Sequence, residues 1–367
     1  MDEITRLKNL SNFPFEQLEN KCKLVPNVKN EYSFIYQKYV LDNDHNLFVK
    51  KDDNQFTFNL SINNFRDNIK SVIIICSKDG STILEHTLKK LEEFETSKDH
   101  DILLVDDRSV SKDIYNLANK YGASYIRIDN ELDIFNYSVI NNIAAIYAKK
   151  FGKTLLIFHN NDMWPSSPET LKNLVNKHEK YKSNITGCRL LYPTKKSYED
   201  LGKPVHLLNE KLEQIYDTIQ HGGIFFTRMS HALSGISRKN RIVFRPQHLF
   251  RFYEKNYFFS TKDQPCFAIT GALQIINISD FIEIGGLNIC LASSFQDIDL
   301  CIKALEKQMT VYYVGSEYMY HAESITNAKE NITKKPELIT DNIIWDILWE
   351  KRLMYLLDID NDNKKYL

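Results

Sequence analysis

The sequence predicts an α/β fold built on a doubly wound, mostly parallel sheet. Apolar runs such as Val72–Ile75 and Ile102–Val105 are too short for helices and are typical of fully buried strands. Between these two runs, Leu84, Leu88 and Leu91 recur at helical spacing. Strands that alternate with helices in this way pair in parallel and carry helices on both faces of the sheet.

The alternation continues along the chain up to residue 159. The strands expected in this region are Val72–Ile75, Ile102–Val105, Tyr125–Ile128 and Leu155–Phe158. The segments between them carry one apolar face each, and two of them end at a glycine, which commonly terminates helices. This region belongs to a main domain that we assign to residues 70–325.

Two different segments flank the main domain. Apolar and polar residues alternate over residues 56–60, which is typical of a half-buried strand, so residues 1–69 are predicted to form a small β-rich extension. Residues 326–367 are predicted to form a helical tail, which is too apolar around Trp345 and Trp349 to stand free in solvent. Docking on the main domain is the expected arrangement, and contact with a second copy or a membrane surface is the alternative.

Composition narrows the functional classes. The 367 residues carry a net charge of −1, which gives no general attraction to nucleic acid or anionic lipid. The six cysteines are scattered without zinc-like spacing and are typical of buried thiols in a reducing compartment. The N-terminus lacks the pattern of a signal peptide, and no run is long enough to cross a bilayer. A cytoplasmic location is therefore expected.

A polar motif follows the predicted strand Leu155–Phe158. Asn160, Asn161 and Asp162 lie just beyond the carboxyl end of this strand, where open α/β sheets bind their ligands. One carboxylate flanked by two amides suits a hard cation that also binds phosphate oxygens. A polar turn is the alternative, and for the motif in isolation it is the more common explanation.

A second acidic motif, Asp106–Asp107, ends the predicted strand Ile102–Val105. A carboxylate at this position can accept the ring N–H of uracil or thymine, although capping of a turn is an equally good explanation of the motif alone. No predicted strand is followed by GxGxxG or GxxxxGK[ST], which argues against a dinucleotide enzyme and a P-loop NTPase.

From Ser71 to Ser324 the sequence resembles family-2 inverting glycosyltransferases with the A-type fold, particularly the rhamnosyltransferase-like branch. The segments that carry the resemblance follow the order of the family's motifs. They are Val72–Gly80, Val105–Ser109 (the family's VDDGS), Phe135–Asn142, Asn160–Asp162 (a variant of DxD), Gly187–Pro193, Ile219–Gly223, Ile269–Ala272, Gly285–Gly286, Gln296–Cys301 and Tyr320–Ser324.

The chain departs from the family pattern at five positions. Cys76 and Lys78 stand where the family usually has Pro and Tyr in the first nucleotide loop. Arg108 replaces the glycine of VDDGS, and Asn160 replaces the first carboxylate of DxD. Gln296 replaces the first member of an acidic pair and leaves Asp297 as its only carboxylate.

The resemblance implies a metal site and a catalytic base. Asp162, with Asn160 and with the histidine that completes this site in relatives, here His321, would bind Mn²⁺ or Mg²⁺. Asp297 would be the base that deprotonates the acceptor hydroxyl, because it opens a predicted helix whose N-terminus favours an ionised carboxylate. Helix capping is the alternative explanation of Asp297 and the preferred one for Asp299.

The remaining candidate residues divide into two groups. The nucleotide-sugar group comprises Cys76, Asp106, Asp107, Asn142, Asn161, Thr270 and Gly271. The weaker acceptor group comprises Trp164, His221 and Gln296. A basic stretch from Arg238 to Arg251 is expected to be a solvated loop, with a phosphorylated or lipid-linked acceptor as the alternative ligand.

The resemblance therefore implies a metal-dependent, inverting transferase. Its expected donor is a UDP- or dTDP-sugar, and its expected acceptor is a glycan or lipid-linked glycan of surface polysaccharide synthesis. It would work in the cytoplasm or at the inner face of the membrane. Two alternatives stay open: a carbohydrate- or nucleotide-sugar-binding protein on an inactive transferase scaffold, and a sugar nucleotidyltransferase. The second is disfavoured because Cys76–Gly80 holds a single glycine.

Overall fold

The computed structural model describes residues 40–41, 47–49, 56–129, 135–201, 215–229, 243–289 and 291–322. It also describes residues 341, 342, 344, 345, 348, 349 and 353 of the tail. The strands are β1 (Val40–Leu41), β2 (Leu47–Val49), β3 (Phe56–Ile62), β4 (Ser71–Ser77), β5 (Asp101–Asp107), β6 (Ser124–Asp129), β7 (Leu155–His159), β8 (Met163–Pro165), β9 (Ile185–Leu191), β10 (Ile219–His221), β11 (Ile224–Met229), β12 (Val243–His248), β13 (Gln264–Pro265), β14 (Leu273–Asn277) and β15 (Val311–His321). The helices are α1 (Ser81–Glu93), α2 (Asp113–Lys120), α3 (Tyr137–Lys150), α4 (Thr170–Tyr181), α5 (Lys195–Asp200), α6 (Ile278–Ile284) and α7 (Gln296–Glu306).

A central sheet of 13 strands organises the described residues, and its main path runs β1-β2-β3-β6-β5-β4-β7-β14-β9-β15-β13. The predicted α/β fold is confirmed. Strands β6, β5, β4 and β7 pair in parallel, as expected from the strand–helix alternation. Parallel pairing is confined to this centre and to β9–β15, whereas the flanking pairs are antiparallel. The sheet is therefore mixed, with fewer parallel pairs than the sequence predicts.

Helices cover both faces of the sheet, as a doubly wound arrangement requires. On one face, Ile73 and Ile75 pack in a core cluster with Leu84 and Leu88 of α1. On the other face, Val72, Ile74 and their neighbours pack with the buried residues of α3, α6 and α7. Alternate residues of one strand thus face opposite cores, which explains why Val72–Ile75 is apolar throughout.

The N-terminal extension continues the main sheet. Strand β3 pairs antiparallel with β6, and β2 pairs with β3 in the register Leu47 to Phe58. The alternation over residues 56–60 was correctly interpreted as a strand, and a β2–β3 hairpin is present. The residues between β2 and β3 lie outside the described residues.

The C-terminal tail packs on the main domain. Its residues Trp345, Trp349 and Leu353 are at most 1% exposed and belong to the core cluster that contains α3, α6 and α7. Within the described residues, no helix combines the length and apolar character needed to span a bilayer.

Candidate active site

The three predicted metal ligands converge at the end of the sheet. Strand β8 pairs with the end of β15 in the register Met163 to His321, and the N–H of Ala322 donates to the backbone oxygen of Asp162. This pairing brings Nε2 of His321 within 3.1 Å of Oδ1 of Asp162. The side-chain amide of Asn160 lies 3.2 Å from the same Nε2. We call these three side chains the metal corner.

Gln220 fixes the orientation of His321. Its Nε2 donates to the backbone oxygen of His321 at 3.1 Å, which directs its Oε1 toward Nδ1 of the ring at 2.6 Å. Since Oε1 only accepts hydrogen bonds, Nδ1 carries the hydrogen and donates it. In the neutral ring, Nε2 then presents its lone pair to the carboxylate of Asp162. Two acceptors at 3.1 Å need a cation between them, either a proton or a metal ion.

The donor set of the metal corner fits a divalent cation that also binds a phosphate. One carboxylate, one imidazole and one amide leave coordination positions for phosphate oxygens and water, as is usual for Mg²⁺ and Mn²⁺ sites at nucleotides. No group of three or more His, Cys, Asp or Glu side chains suited to a metal occurs in the part of the chain that the structure describes.

Two consecutive backbone residues connect the metal corner to Asp297. The N–H of Asn160 donates to the oxygen of Ala272 at 3.0 Å, because β7 and β14 pair antiparallel at this point. The N–H of the preceding Gly271 donates to Oδ2 of Asp297 at 2.6 Å. The candidate metal ligand and the candidate base therefore lie on either side of one short backbone segment.

Asp297 is held in a close and specific approach to this segment. Besides the bond from Gly271, its Oδ1 accepts the N–H of Ile298 at 2.9 Å. A Cβ added at Gly271 would lie 2.9 Å from Cβ of Asp297, so a side chain at residue 271 would displace the carboxylate. Burial raises the pKa of Asp297, although the hydrogen bonds from Gly271 and Ile298 oppose the shift. A raised pKa makes the ionised carboxylate a stronger base.

Asp297 lines a cavity of about 230 Å³ between the β11–β12 hairpin and the start of α7. Gln296 also lines this cavity, and its buried Oε1 has no hydrogen-bond partner within the described ranges. An unpaired buried oxygen is costly, so Oε1 is suited to accept a hydrogen bond from a ligand hydroxyl. The lining residues are Ile224, Pro246, His248, Ser293, Ser294, Phe295, Gln296, Asp297 and Ile298.

The acidic motif at the end of β5 divides into two roles. Asp106 accepts the N–H of Ser109 and the hydroxyl of Tyr125, at 2.9 and 2.7 Å, so its carboxylate holds the loop together. Asp107 makes a two-pronged ion pair with the guanidinium of its neighbour Arg108, at 2.8 and 3.1 Å. Arg108 adopts φ +56°, which explains why glycine is usual at this position of the family-2 motif.

The predicted first nucleotide loop lies beside the polar motif after β7. Nδ2 of Asn161 donates to Oγ of Ser77 at 3.0 Å, and a Cβ added at Gly80 would lie 3.3 Å from the same amide nitrogen. The half-buried thiol of Cys76 contacts Oδ1 of Asn141 at 3.4 Å. The carboxyl ends of β4, β5 and β7 therefore lie together at one edge of the sheet, as expected for parallel strands.

Comparison with known families agrees with this arrangement. The model of the family described as glycosyl transferase family 2 matches residues 71–256. The chain belongs to glycosyl transferase family 2. The match begins with β4 and includes the acidic motif after β5, the polar motif after β7 and Gln220, which orients His321.

Two curated relatives are similar to this family-2 chain. The uncharacterized protein y4gI of Sinorhizobium fredii is 24% identical over 72% of the chain and 25% of its own length. The O-antigen biosynthesis protein RfbC of Myxococcus xanthus is 30% identical over 34% of the chain and 10% of its own length. The chain thus spans about a quarter and a tenth of the length of these relatives.

Solved glycosyltransferase structures are more distant. GalNAc-T7 with UDP, GalNAc and Mn²⁺ gives a TM-score of 0.48 and 16% identity, over 70% of this chain and 44% of that one. The mannosyltransferase PcManGT from Pyrobaculum calidifontis with GDP-Man and Mn²⁺ gives a TM-score of 0.40 and 9% identity, over 72% of this chain and 60% of that one. Likeness of this degree does not by itself assign a ligand or a metal to the family-2 chain.

Several predicted ligand-binding residues are engaged elsewhere. Asn142 is buried, and its side-chain amide donates to the oxygen and accepts the N–H of Leu287. It therefore joins α3 to the segment after α6 and is not placed to contact a nucleotide sugar. Trp164, predicted to stack on an acceptor, is 3% exposed and packs edge-on against His86 at 4.6 Å. Both side chains are buried and point into the protein.

His221, another of the three weak acceptor candidates, is completely buried. Its Nδ1 lies 2.9 Å from Nδ1 of His248, and burial lowers the pKa of His221 well below its usual value. Its Nε2 contacts the N–H of Thr270 at 3.5 Å. His221 thus lies behind the cavity that His248 lines and supports the segment of Thr270 and Gly271.

The other charged candidates are Asp299 and the basic stretch from Arg238 to Arg251. Asp299 is buried, forms an ion pair with Lys303 at 3.0 Å and accepts the indole N–H of Trp349 at 2.9 Å. Its role is structural, as preferred, but it binds the tail instead of capping α7. The basic residues from 238 to 241 lie outside the described residues.

Sequence reasoning missed three features of this site. Gln220 orients His321 from about 100 residues away, His248 lines the cavity, and residues 293–295 form its wall. The resemblance covered Gln220 as part of a family segment but assigned no role to it. No sequence pattern identifies the other two, because strand pairing and helix packing bring them to the site.

Proposed function

We propose that this chain is a metal-dependent, inverting glycosyltransferase. It transfers a sugar from a UDP- or dTDP-sugar to a hydroxyl of a glycan or lipid-linked glycan in surface polysaccharide synthesis. Membership of family 2 supports sugar transfer. The observation that carries the finer proposal is the short segment Gly271–Ala272, which holds the metal corner on one side and Asp297 on the other.

The proposed donor site is the crevice at the ends of β4, β5 and β7. Asp107 would accept the N3–H that uracil and thymine share, in exchange for part of its ion pair with Arg108. Cys76, Asn161 and Asp106 border the same crevice and shape it. Thr270 and Gly271 form the edge nearest Asp297, where a small residue lets the donor sugar approach the backbone.

The metal corner is proposed to hold Mn²⁺ or Mg²⁺ through Asp162, His321 and Asn160. Such a cation would offset the negative charge that grows on the departing diphosphate. The protein's own contribution is positional: Gln220 keeps Nε2 of His321 directed at Asp162, and the β8–β15 register keeps both side chains together.

The cavity beside Asp297 is proposed to take the acceptor sugar. Asp297 would accept the proton of the acceptor hydroxyl while the hydroxyl oxygen forms a bond to the anomeric carbon of the donor sugar. In the same step, the bond between that carbon and the diphosphate breaks. The N–H of Gly271 holds Oδ2 and so fixes the direction of the carboxylate. Attack from the side opposite the leaving group inverts the anomeric configuration. Gln296 would accept a hydrogen bond from a second acceptor hydroxyl through its unpaired Oε1.

The remaining details of the proposal rest on sequence. Segments Gly187–Pro193 and Ile219–Gly223 support the rhamnosyltransferase-like branch. The four cysteines within the described residues form no disulfide and support a cytoplasmic location, with acceptor-bearing lipid reached at the inner face of the membrane.

A panel of nucleotide sugars with Mn²⁺ tests the proposal. We expect slow release of UDP or dTDP from one donor, loss of release in EDTA, and a sharp fall in Asp162→Ala and His321→Ala. Excess Mn²⁺ should partly restore the single-ligand variants. Asp280→Asn, in α6 beyond the end of β14 that lies away from Gly271, is the matched control and should keep full activity. Full activity in EDTA would refute the metal assignment.

The same panel tests the alternative function, a nucleotide-sugar-binding protein without turnover. This alternative is favoured by Asn160 and Gln296, which replace carboxylates of the family pattern. Binding of a donor with Mn²⁺ but no release, in the presence of candidate glycans, would establish it.

A further inference from the structure

The tail holds the loop that precedes α7 through a single buried carboxylate. Asp341 is completely buried. Its Oδ1 accepts the N–H of Ala292 at 2.9 Å, and its Oδ2 accepts those of Ser293 and Ser294 at 2.8 and 2.7 Å. Three successive backbone N–H groups on one carboxylate form a strong anion-binding nest. Ser293 and Ser294 line the cavity beside Asp297.

The residue after this loop is strained. Phe295 adopts φ +67°, a left-handed conformation that is unfavourable for a bulky residue. It immediately precedes Gln296 and Asp297 and marks the start of α7. Its ring packs against Trp345 of the tail, with ring centroids 5.0 Å apart. A strained residue persists only where its surroundings fix it, and here the tail supplies part of that support.

The tail also binds the two elements on either side of the cavity. The indole N–H of Trp345 donates to the backbone oxygen of Phe244 in β12 at 3.0 Å. The indole N–H of Trp349 donates to Asp299 in α7 at 2.9 Å. One segment therefore connects the β11–β12 hairpin, the loop and the first turns of α7, which together surround Asp297.

We propose that the tail residues Asp341, Trp345 and Trp349 are a positioning element of the active site, and that Asp341 is its principal positioning residue. By fixing residues 292–295 it sets the direction of the first turn of α7 and thus the distance from Asp297 to Gly271. The inference rests on the proposed function only in taking Asp297 as the base. Asp341 touches neither substrate nor metal in this arrangement.

The variant Asp341→Asn tests the proposal. An asparagine has one carbonyl oxygen and an NH₂ group, so it leaves at least one of the three N–H donors of the loop facing another donor. We expect faster hydrogen–deuterium exchange at residues 292–298 and unchanged exchange in β4 and β5. We also expect kcat to fall on the order of ten- to a hundredfold, with a higher acceptor KM. Donor KM and Mn²⁺ dependence should stay at the wild-type values. Asp280→Asn is the matched control and should change none of these quantities.

The two readouts separate failure of this inference from failure of the proposed function. Exchange needs no substrate, so unchanged exchange at residues 292–298 would overturn the inference even if the chain transfers no sugar. Faster exchange with normal kcat would overturn the positioning role. A parallel loss of donor binding would indicate a general structural role and would also overturn it. If Asp341→Asn fails to fold, Trp345→Phe keeps a ring against Phe295 and should change both readouts in the same direction by a smaller factor.

Discussion

Asp297 and Asp299 show how two carboxylates two residues apart in one helix receive different roles. Asp299 is occupied by Lys303 and the indole of Trp349 inside the protein. Asp297 lines a cavity, and within the described residues its carboxylate is bonded by backbone N–H groups, which orient the carboxylate without neutralising it. Only the second environment leaves a carboxylate available to accept a proton from a ligand.

The variant Asp297→Asn tests this difference. We expect kcat to fall by roughly two to four decades because the proton acceptor is lost, while donor binding is retained. Burial raises the pKa of Asp297, so the ionised carboxylate costs stability above that pKa, but an asparagine turns its NH₂ group toward one of the two backbone donors, Gly271 or Ile298. Because these two effects oppose each other, the variant should melt near the wild-type temperature at pH 7. Normal turnover of the variant would assign the base elsewhere.

The pH profile gives a second test of the same carboxylate. The base acts only when it is ionised, so activity should fall with decreasing pH through the raised pKa of Asp297. The acid limb of kcat/KM should therefore lie above about 3.9, the usual value for aspartate. Asp280→Asn in α6, whose charge is not among the causes of this shift, is the control and should leave this limb unchanged.

Asp107 and Arg108 predict the base preference of the donor site. UDP and dTDP should bind more tightly than CDP, because cytosine has no N3–H and would leave the carboxylate unpaired. Asp107→Ala should weaken UDP binding and narrow the gap to CDP. Arg108→Gly releases the carboxylate from its ion pair and should tighten UDP binding. Calorimetry with the three diphosphates in Mn²⁺ measures these effects, and equal affinity for UDP and CDP would show that Asp107 only stabilises its loop.

At the scale of elements, β14 and α7 meet at a contact without room for one additional carbon. The variant Gly271→Ala places Cβ 2.9 Å from Cβ of Asp297, so α7 or the segment must shift. We expect kcat to fall about tenfold or more with donor affinity retained. Gly152→Ala, whose Cβ would have no neighbour within 4 Å, is the control and should leave kcat unchanged. Equal kcat in both variants would show that this approach is not required.

A second close contact, at Gly315 in β15, leads to a prediction about the free energy of unfolding. A Cβ at Gly315 in β15 would lie 2.4 Å from the backbone oxygen of Ser260 and 2.5 Å from that of Lys262. Because backbone atoms cannot move aside as easily as a flexible side chain, Gly315→Ala should lower the free energy of unfolding by about 3 kcal/mol or more. Gly152→Ala carries only the cost of its left-handed backbone, about 1 to 2 kcal/mol. Urea denaturation gives both values, and a smaller loss for Gly315→Ala would contradict the packing seen here.

Elements with a strong local signal could be predicted, and elements defined by pairing could not. Strands β4, β5 and β7 are apolar on both faces, so their runs identify them without reference to the fold. Strand β14 has a similar apolar run, but nothing in it states that it enters the sheet between β7 and β9 in the antiparallel sense. That direction depends on the path of the whole chain and not on its own residues.

At the scale of the molecule, the candidate site is assembled from distant parts of the chain. Asp162, Asp297 and His321 could be proposed from motif order, and strand pairing brings them to one end of the sheet. The support of these residues could not be proposed. Gln220 is hydrogen-bonded to the ring of His321, and Asp341 accepts backbone N–H groups from the loop before α7. Both contacts join residues that are far apart in the chain, so they leave no periodic signal in the sequence. The burial of Trp164 could not be predicted from the sequence either, because an aromatic side chain is equally suited to stack on a sugar and to pack in a core.

Inverting sugar transfer with Asp297 as the base can be checked by the anomeric configuration of the first product. Proton NMR during turnover of an α-linked donor with Mn²⁺ records this configuration, and early time points precede the mutarotation of any free sugar that hydrolysis releases. We expect a product of inverted, β configuration, formed by wild type and reduced by roughly two to four decades in Asp297→Asn. A first product that retains the α configuration, or undiminished formation of the β product by Asp297→Asn, would contradict it.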